Sequence, residues 1–341
     1  MRRSTMLMMV LALGLAPTTA SAASSGSARK ASTLAVIGDT PYDDAQLAAF
    51  PKLVKAINAD RSVRTVVHLG DMKSGQPCTD QFFTGRLALY DTFSDPFVFT
   101  PGDNDWTDCH RTAFGAFIPT ERLDSLRRIF YPRPDRALGS RPVLRVRPQS
   151  RDAKFSQYVE NVMWSRARAV FSTIHVVGSN NDLVPWFVDT RVKPVAPEAP
   201  QHTALRTAEF DRRLAADLAW LDRTFAVARR DHARGVVIAM QANLWVERLF
   251  PGEDVSGFDA IVKRIATLAR SFHGEVLLLQ GDTHEYFDDR PLTAGSPENG
   301  VSTVAPNVRR IVVQGETASE WLRLRVDPRA KKLFSWKRRR V

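Results

Sequence analysis

The chain is poor in several features whose scarcity is informative. It carries two cysteines, Cys78 and Cys109, in 341 residues, too few for a disulfide-built scaffold. Beyond residue 22 no run is apolar enough to cross a membrane. There are no internal repeats. Acidic residues number 37 against 48 Lys and Arg, for a formal net charge of +11. That balance favours anionic partners and aids solubility, but no specific nucleic-acid motif accompanies it.

The amino terminus has the order of a secretory signal over residues 1–22. Arg2 and Arg3 precede an apolar stretch from Met6 to Ala16, and small residues end at Ala22. A membrane anchor is the alternative reading, although the apolar stretch is short for one. No cysteine lies near the cleavage point to carry lipid. The expectation is a soluble protein, periplasmic or extracellular, with no membrane attachment after signal removal. About 319 residues then remain at a net charge of +9. They suffice for one large α/β domain from about residue 31 to 341. In an exported chain an even cysteine pair reads as a disulfide, with two reduced buried thiols as the alternative. The Cys78–Cys109 bridge would stabilise the fold by about 3–4 kcal/mol.

Hydrophobic periodicity gives strands at 33–37, 63–69 and 97–100, separated by helices at 44–58 and about 82–93. Leu47, Phe50, Val54 and Ile57 share one face of the first helix. A β-α-β-α-β order predicts parallel strands with their carboxyl ends at one edge. Each strand runs into a glycine and an aspartate: Gly38-Asp39, Gly70-Asp71 and Gly102-Asp103, 32 residues apart at each step. Open α/β sheets hold ligands at that edge. The first of the two cysteine-bearing loops follows Asp71 and the second follows Asp103, so the disulfide would tie the two together.

From 114 to 163 the pattern turns irregular, with nine arginines interrupted by prolines. It reads as an insertion or cap over the acidic edge, or equally as a solvated surface segment. Further strands are expected at 169–178, with His175 inside, at 235–240 and at 275–279. Helices are expected from about 207 and through Ile261, Ile265 and Leu268. Runs near 308–313, 321–326 and 333–336 read as closing antiparallel strands. Lys337–Arg340 reads as a solvated tail.

Three strand-end Gly-Asp pairs, a late strand ending at Gln241, and Gly281-Asp-Thr-His284 together resemble the calcineurin-like metallophosphoesterases over roughly 33–290. The resemblance implies a four-layer α/β/β/α sandwich. It also implies two divalent cations whose bridging hydroxide attacks the phosphorus of a small phosphorylated substrate. The metal positions fall on Asp39, Asp71, Asp103, Gln241, Asp282 and His284. Thr40 and Pro41 follow Asp39 where the family has a histidine, and Tyr42 is near enough to contact metal or substrate. Asn104 stands in the place of the acid histidine, and Asp105 keeps the carboxylate that orients it. Oxygen replacing imidazole favours hard cations, Mn²⁺, Mg²⁺ or Ca²⁺, over Zn²⁺ or Fe. An amide cannot protonate a leaving group, which makes His110 the nearest acid, with a loop hydrogen bond as its alternative role. Lys73, beside Asp71, would contact substrate, or would balance the acids in a metal-free relic. Two classes of function follow: a metal-dependent phosphoester hydrolase, or an exported scaffold that keeps the fold without turnover.

Overall fold

The computed structural model describes residues 30–141 and 144–341, so the expected signal segment lies outside the described residues. Chain order begins as the periodicity predicts. Strands β1 (Ser32–Ile37), β2 (Val63–His68) and β3 (Phe97–Phe99) are parallel neighbours. They are joined by helices α1 (Asp44–Ala59) and α2 (Asp80–Tyr90). Both helices start at side-chain caps: Asp43 accepts the Gln46 N–H at 2.7 Å, and Thr79 accepts that of Phe82 at 3.1 Å. The buried face of α1 is Phe50, Leu53, Val54 and Ile57, while Leu47 stays exposed.

The chain then forms α3 (Pro119–Phe130) and a second sheet. That sheet has β4 (Arg147–Pro148), β5 (Val162–Arg166), β6 (Ala169–Thr173), β7 (Gly235–Ala239), β8 (Glu275–Gln280), β9 (Phe287–Asp289) and β10 (Val308–Val312). Helices α4 (Pro200–Arg230) and α5 (Asp259–Arg270) cover it, and β11 (Glu320–Val326) and β12 (Phe334–Arg340) return to the first sheet. The strand orders are β12-β11-β1-β2-β3 and β4-β5-β6-β7-β8-β10-β9.

Strand alternation makes the layers. Leu34, Val36 and Val67 pack between the sheets against Val237, Ala239, Leu279 and Ile311. The opposite side chains, Ala35, Ile37 and Val66, meet Phe50, Leu53, Phe83 and Phe130 of the first helical layer. Val236, Ile238 and Leu278 meet Trp220, Phe225, Ile261 and Ile265 of the second. Strands buried on both faces read as continuous apolar runs, which is why they were visible in the sequence. The result is the α/β/β/α sandwich.

Several details differ from expectation. β10 pairs in parallel with β8, and only the short β9 is antiparallel to it. The basic terminus is a strand, paired antiparallel with β11. Helix α4 starts at Pro200 rather than near 207, because proline supplies a preset first helical position. His175 lies beyond the end of β6. Within 114–163, α3 is regular, and its Arg122 and Arg127 are spent on Asp80 and Glu160. Cys78 and Cys109 form the expected disulfide, with Cα atoms 5.8 Å apart. No described helix is long and apolar enough to cross a membrane.

Candidate active site

The parallel strands β1, β2, β3, β7 and β8 release the chain at one edge, and Asp39, Asp71, Asp103, Gln241 and Asp282 follow them in that order. Left-handed backbone at Asp39 (φ 52°), Asp71 (φ 57°), Asp282 (φ 79°) and His284 (φ 54°) turns their side chains toward a common centre. Such backbone costs of order 1–3 kcal/mol per residue and collects at functional sites. Close approach from the facing loop requires Gly178: a Cβ there would stand 2.6 Å from Asp282 Oδ1 and 2.8 Å from Asp103 Oδ2.

Hydrogen bonds fix the carboxylates. Asp39 Oδ1 accepts the Asp282 N–H at 2.9 Å and lies 3.5 Å from His284 Nε2. The other His284 nitrogen, Nδ1, faces Glu316 at 3.0 Å. Asp71 Oδ2 accepts from the Tyr42 hydroxyl and the Asn104 amide, each at 3.1 Å, and Tyr42 packs edge-on against the His284 ring. Asn104 also donates to the Tyr42 oxygen. Asp103 Oδ2 accepts from Ser179 Oγ at 2.8 Å. Asp282 Oδ2 accepts the Asn243 N–H at 3.1 Å.

Gln241 occupies the middle. Its Oε1 accepts the Gly178 N–H at 2.6 Å, which fixes the amide orientation. Its Nε2 then faces Asp103 at 2.9 Å and Asp71 and Asp282 at 3.2 Å each. One amide has only two N–H donors to divide among these three carboxylates. Burial pushes Asp71 well above the usual carboxylate range, and Asp103, Asp105 and Asp39 add repulsion. Burial, then Asp103, lifts Asp282 to about 8. Among the described residues no Lys or Arg forms an ion pair with Asp39, Asp71, Asp103 or Asp282; the imidazole of His284 is the one basic side chain beside them.

The structure thus brings together Asp39, Tyr42, Asp71, Asp103, Asn104, Gln241, Asp282 and His284. Three other residues named from the sequence lie apart. Asp105 faces the loops beneath and accepts the N–H groups of Asp71, Met72 and Gly102 at 3.0, 2.9 and 2.8 Å, clasping the two loops. Lys73 turns away, its Nζ 3.8 Å from the centroid of the Phe114 ring and 3.4 Å from the Ser74 carbonyl. Burial lowers its pKa to about 8, against the pull of Asp105 and Asp108. His110 accepts the Phe187 N–H on Nδ1 at 3.0 Å, and burial lowers its pKa to about 4.

The sequence shows a turn after β6 at Ser179–Asp182 but does not assign it to the site. Ser179, Asn180, Asn181 and Asp182 are all left-handed, with φ from 51° to 69°. Arg213, fully buried on α4, holds this turn by donating to the carbonyls of His175 and Asn181, each at 3.0 Å. The turn is what delivers the Gly178 N–H to Gln241 and the Ser179 hydroxyl to Asp103. Two asparagines in succession were the available signal, since asparagine tolerates this backbone best after glycine.

A sequence model of the calcineurin-like phosphoesterases matches residues 32–286. The chain belongs to that family. No curated protein matches it. Among solved structures it is similar to GAP50, the anchor in the inner membrane complex of Plasmodium, at 10% identity and a TM-score of 0.44, covering 91% of this chain and 89% of that one. It is also similar to the phosphopantetheinyl hydrolase of Mycobacterium tuberculosis, at 14% identity and a TM-score of 0.39, covering 89% and 95%.

Phosphoester hydrolysis in this family generally depends on two metal ions, and the donors present fit one half of that arrangement better than the other. Asp39 Oδ2 and His284 Nε2 are buried polar atoms without a hydrogen-bond partner, and Nε2 lies 3.5 Å from the other oxygen of the same carboxylate, Oδ1. Buried orphans of this kind need an unseen partner, and a carboxylate oxygen with an imidazole nitrogen suits a cation. In the other half, Gln241 presents N–H groups, and its one ligating oxygen is committed to Gly178. As oriented, it does not fit a second cation. Among the described residues no three His, Cys, Asp or Glu side chains form a ready-made metal-holding group.

Proposed function

We propose that this phosphoesterase is an exported hydrolase of small phosphate esters that works with one divalent cation, held by Asp39 and His284 with Asp71 beside them. The observation that carries this reading is the unpartnered pair Asp39 Oδ2 and His284 Nε2, in a carboxylate cluster that lacks Lys or Arg partners. Oxygen-rich donors favour Mn²⁺, Mg²⁺ or Ca²⁺ over Zn²⁺ or Fe. When bound, the cation supplies positive charge against a phosphoryl oxygen and lowers the pKa of water.

The chain's own groups would position the ester. Besides Gln241, the Asn104 amide and the Tyr42 hydroxyl, both at Asp71, are donors beside the acids. Neither is a useful acid: an amide does not protonate a leaving group, and burial with the neighbouring carboxylates raises Tyr42 far above its ordinary value. Esters with good leaving groups, such as aryl phosphates, are therefore the expected substrates. The disulfide supports an oxidising compartment, periplasmic or extracellular.

A second reading, a scaffold without turnover, is favoured by Gln241, whose amide fills the middle of the acids. Hydrolysis of aryl phosphate mono- and diesters with Mg²⁺, Mn²⁺, Ca²⁺ or Zn²⁺ separates the two. Cation-dependent turnover that Asp71→Asn abolishes supports the hydrolase; no turnover with any cation supports the scaffold.

A further inference from the structure

The opposite end of the sheets carries a second concave surface of contrary charge. The amino-terminal ends of β7, β8 and β10 open into a cleft of about 740 Å³, bordered by the carboxyl ends of α4 and α5. A neighbouring cavity of about 320 Å³ shares Glu275, Asn307 and Lys331 with it, so the two form one trough. The six residues of β8 separate this trough from the acidic centre, a span of roughly 17–20 Å.

Its lining is cationic. Arg229, Arg234, Arg290, Arg309, Lys331 and Lys332 border it, with His232 and His273. The one acid is Glu275, whose carboxylate already accepts the Leu333 N–H at 2.6 Å. Of the six cations only Arg309 has a carboxylate partner among the described residues, Asp288 at 2.6 Å. Like charges gathered in a concavity repel one another unless an anion enters, and low-dielectric walls focus their field.

The trough is also held in shape. Arg234 donates Nη1 to the carbonyls of Pro328 and Ala330 at 2.7 and 2.9 Å, and Nη2 to that of Lys331 at 3.1 Å. The Asp327 N–H closes the turn on the Leu333 carbonyl at 2.9 Å. These contacts pin the β11–β12 turn, so Lys331 and Lys332 are presented at the rim from a fixed backbone. Asn307 Nδ2 ties the α5–β8 connection through the carbonyls of Ala269, Phe272 and Gly274, at 2.9 to 3.0 Å. A rigid backbone bearing unpaired cations binds with less ordering cost than a mobile one.

We propose that this trough is a binding site for a compact polyanion carrying several phosphate or sulfate groups. Its concavity favours a discrete ligand over a flat lipid surface, and its distance from the acidic centre separates it from phosphoester chemistry.

Inorganic tripolyphosphate is the probe, titrated calorimetrically into the full-length mature protein at low and at raised salt. The wild type is expected to bind, more weakly as salt rises. The triple variant Arg229→Gln/Lys331→Gln/Lys332→Gln, all at exposed positions, should bind about tenfold more weakly or worse. Its melting curve should match the wild type, and Asp71→Asn should bind tripolyphosphate like the wild type. Equal binding by the triple variant, loss of binding in Asp71→Asn, or no binding by the wild type at low salt would each overturn the proposal. So would binding to phosphatidylglycerol vesicles without binding to tripolyphosphate. If the triple variant melts early, Lys331→Gln/Lys332→Gln alone, on the turn, must still weaken binding.

Discussion

Replacing Gln241 by leucine tests the centre at its most exposed assumption. The side chain is fully buried, and leucine is similar in bulk. The change removes the donor shared by Asp71, Asp103 and Asp282, and it leaves the Gly178 N–H without its acceptor. Each buried polar group left unmet costs about 1–3 kcal/mol, and more when charged. Partial relaxation and protonation of the acids offset some of that, so a net loss of about 3–5 kcal/mol is expected in chelator at neutral pH. That corresponds to roughly 5–8 °C in melting temperature for a domain of this size. Thermal unfolding followed by circular dichroism reads it directly. Adding Mn²⁺ should recover part of the loss, because a cation can compensate the same carboxylates. A melting temperature within about 2 °C of wild type in chelator would show that the amide does not hold the acids together.

Three further outcomes follow from the geometry. Gly178→Ala should cost about 1–3 kcal/mol by overpacking and should lower turnover, since its Cβ meets Asp282 and Asp103 at 2.6 and 2.8 Å. Gly85→Ala, exposed on α2 with open space around the added methyl, should stabilise the protein by about 0.5–1 kcal/mol in chemical denaturation. The cation-free protein should lose melting temperature between pH 6.5 and 8, above the range in which His68 and His110, lowered to about 4, add stability as pH rises. Asp105, Asp108 and Asp282 are raised to about 6, 7 and 8, so the folded state holds protons that the unfolded chain releases near pH 4. Their contribution is fully present below the unfolded pKa and is lost as pH rises through the folded values. A flat or rising profile over that window in chelator would contradict the burial of these acids.

The frame of the site was legible because it is local. Apolar runs of strand length ending in Gly-Asp placed Asp39, Asp71 and Asp103 at one edge, and the parallel β1-β2-β3 order followed from the helices between them. What escaped depends on partners distant in the chain. Gln241 could be placed at a strand end from its neighbours, but which amide atom faces the acids is decided by Gly178, 63 residues away. The left-handed turn at Ser179–Asp182 is unfavourable by itself and persists because Arg213, more than 30 residues later, grips it. Lys73 shows the opposite failure: closeness to Asp71 in sequence implied a shared site, yet its backbone position points the ammonium at Phe114. β10 carries the apolar signature of any buried strand, and that signature does not distinguish parallel from antiparallel pairing.

The one-cation hydrolase is tested most directly by counting Mn²⁺ bound per chain in a calorimetric titration, with aryl phosphate turnover followed in the same preparation. One cation per chain is expected, with turnover that rises alongside occupancy and disappears together with binding in His284→Ala and Asp39→Asn. No bound cation and no turnover with Mn²⁺, Mg²⁺, Ca²⁺ or Zn²⁺ would contradict it and leave the fold as a scaffold around its buried acids.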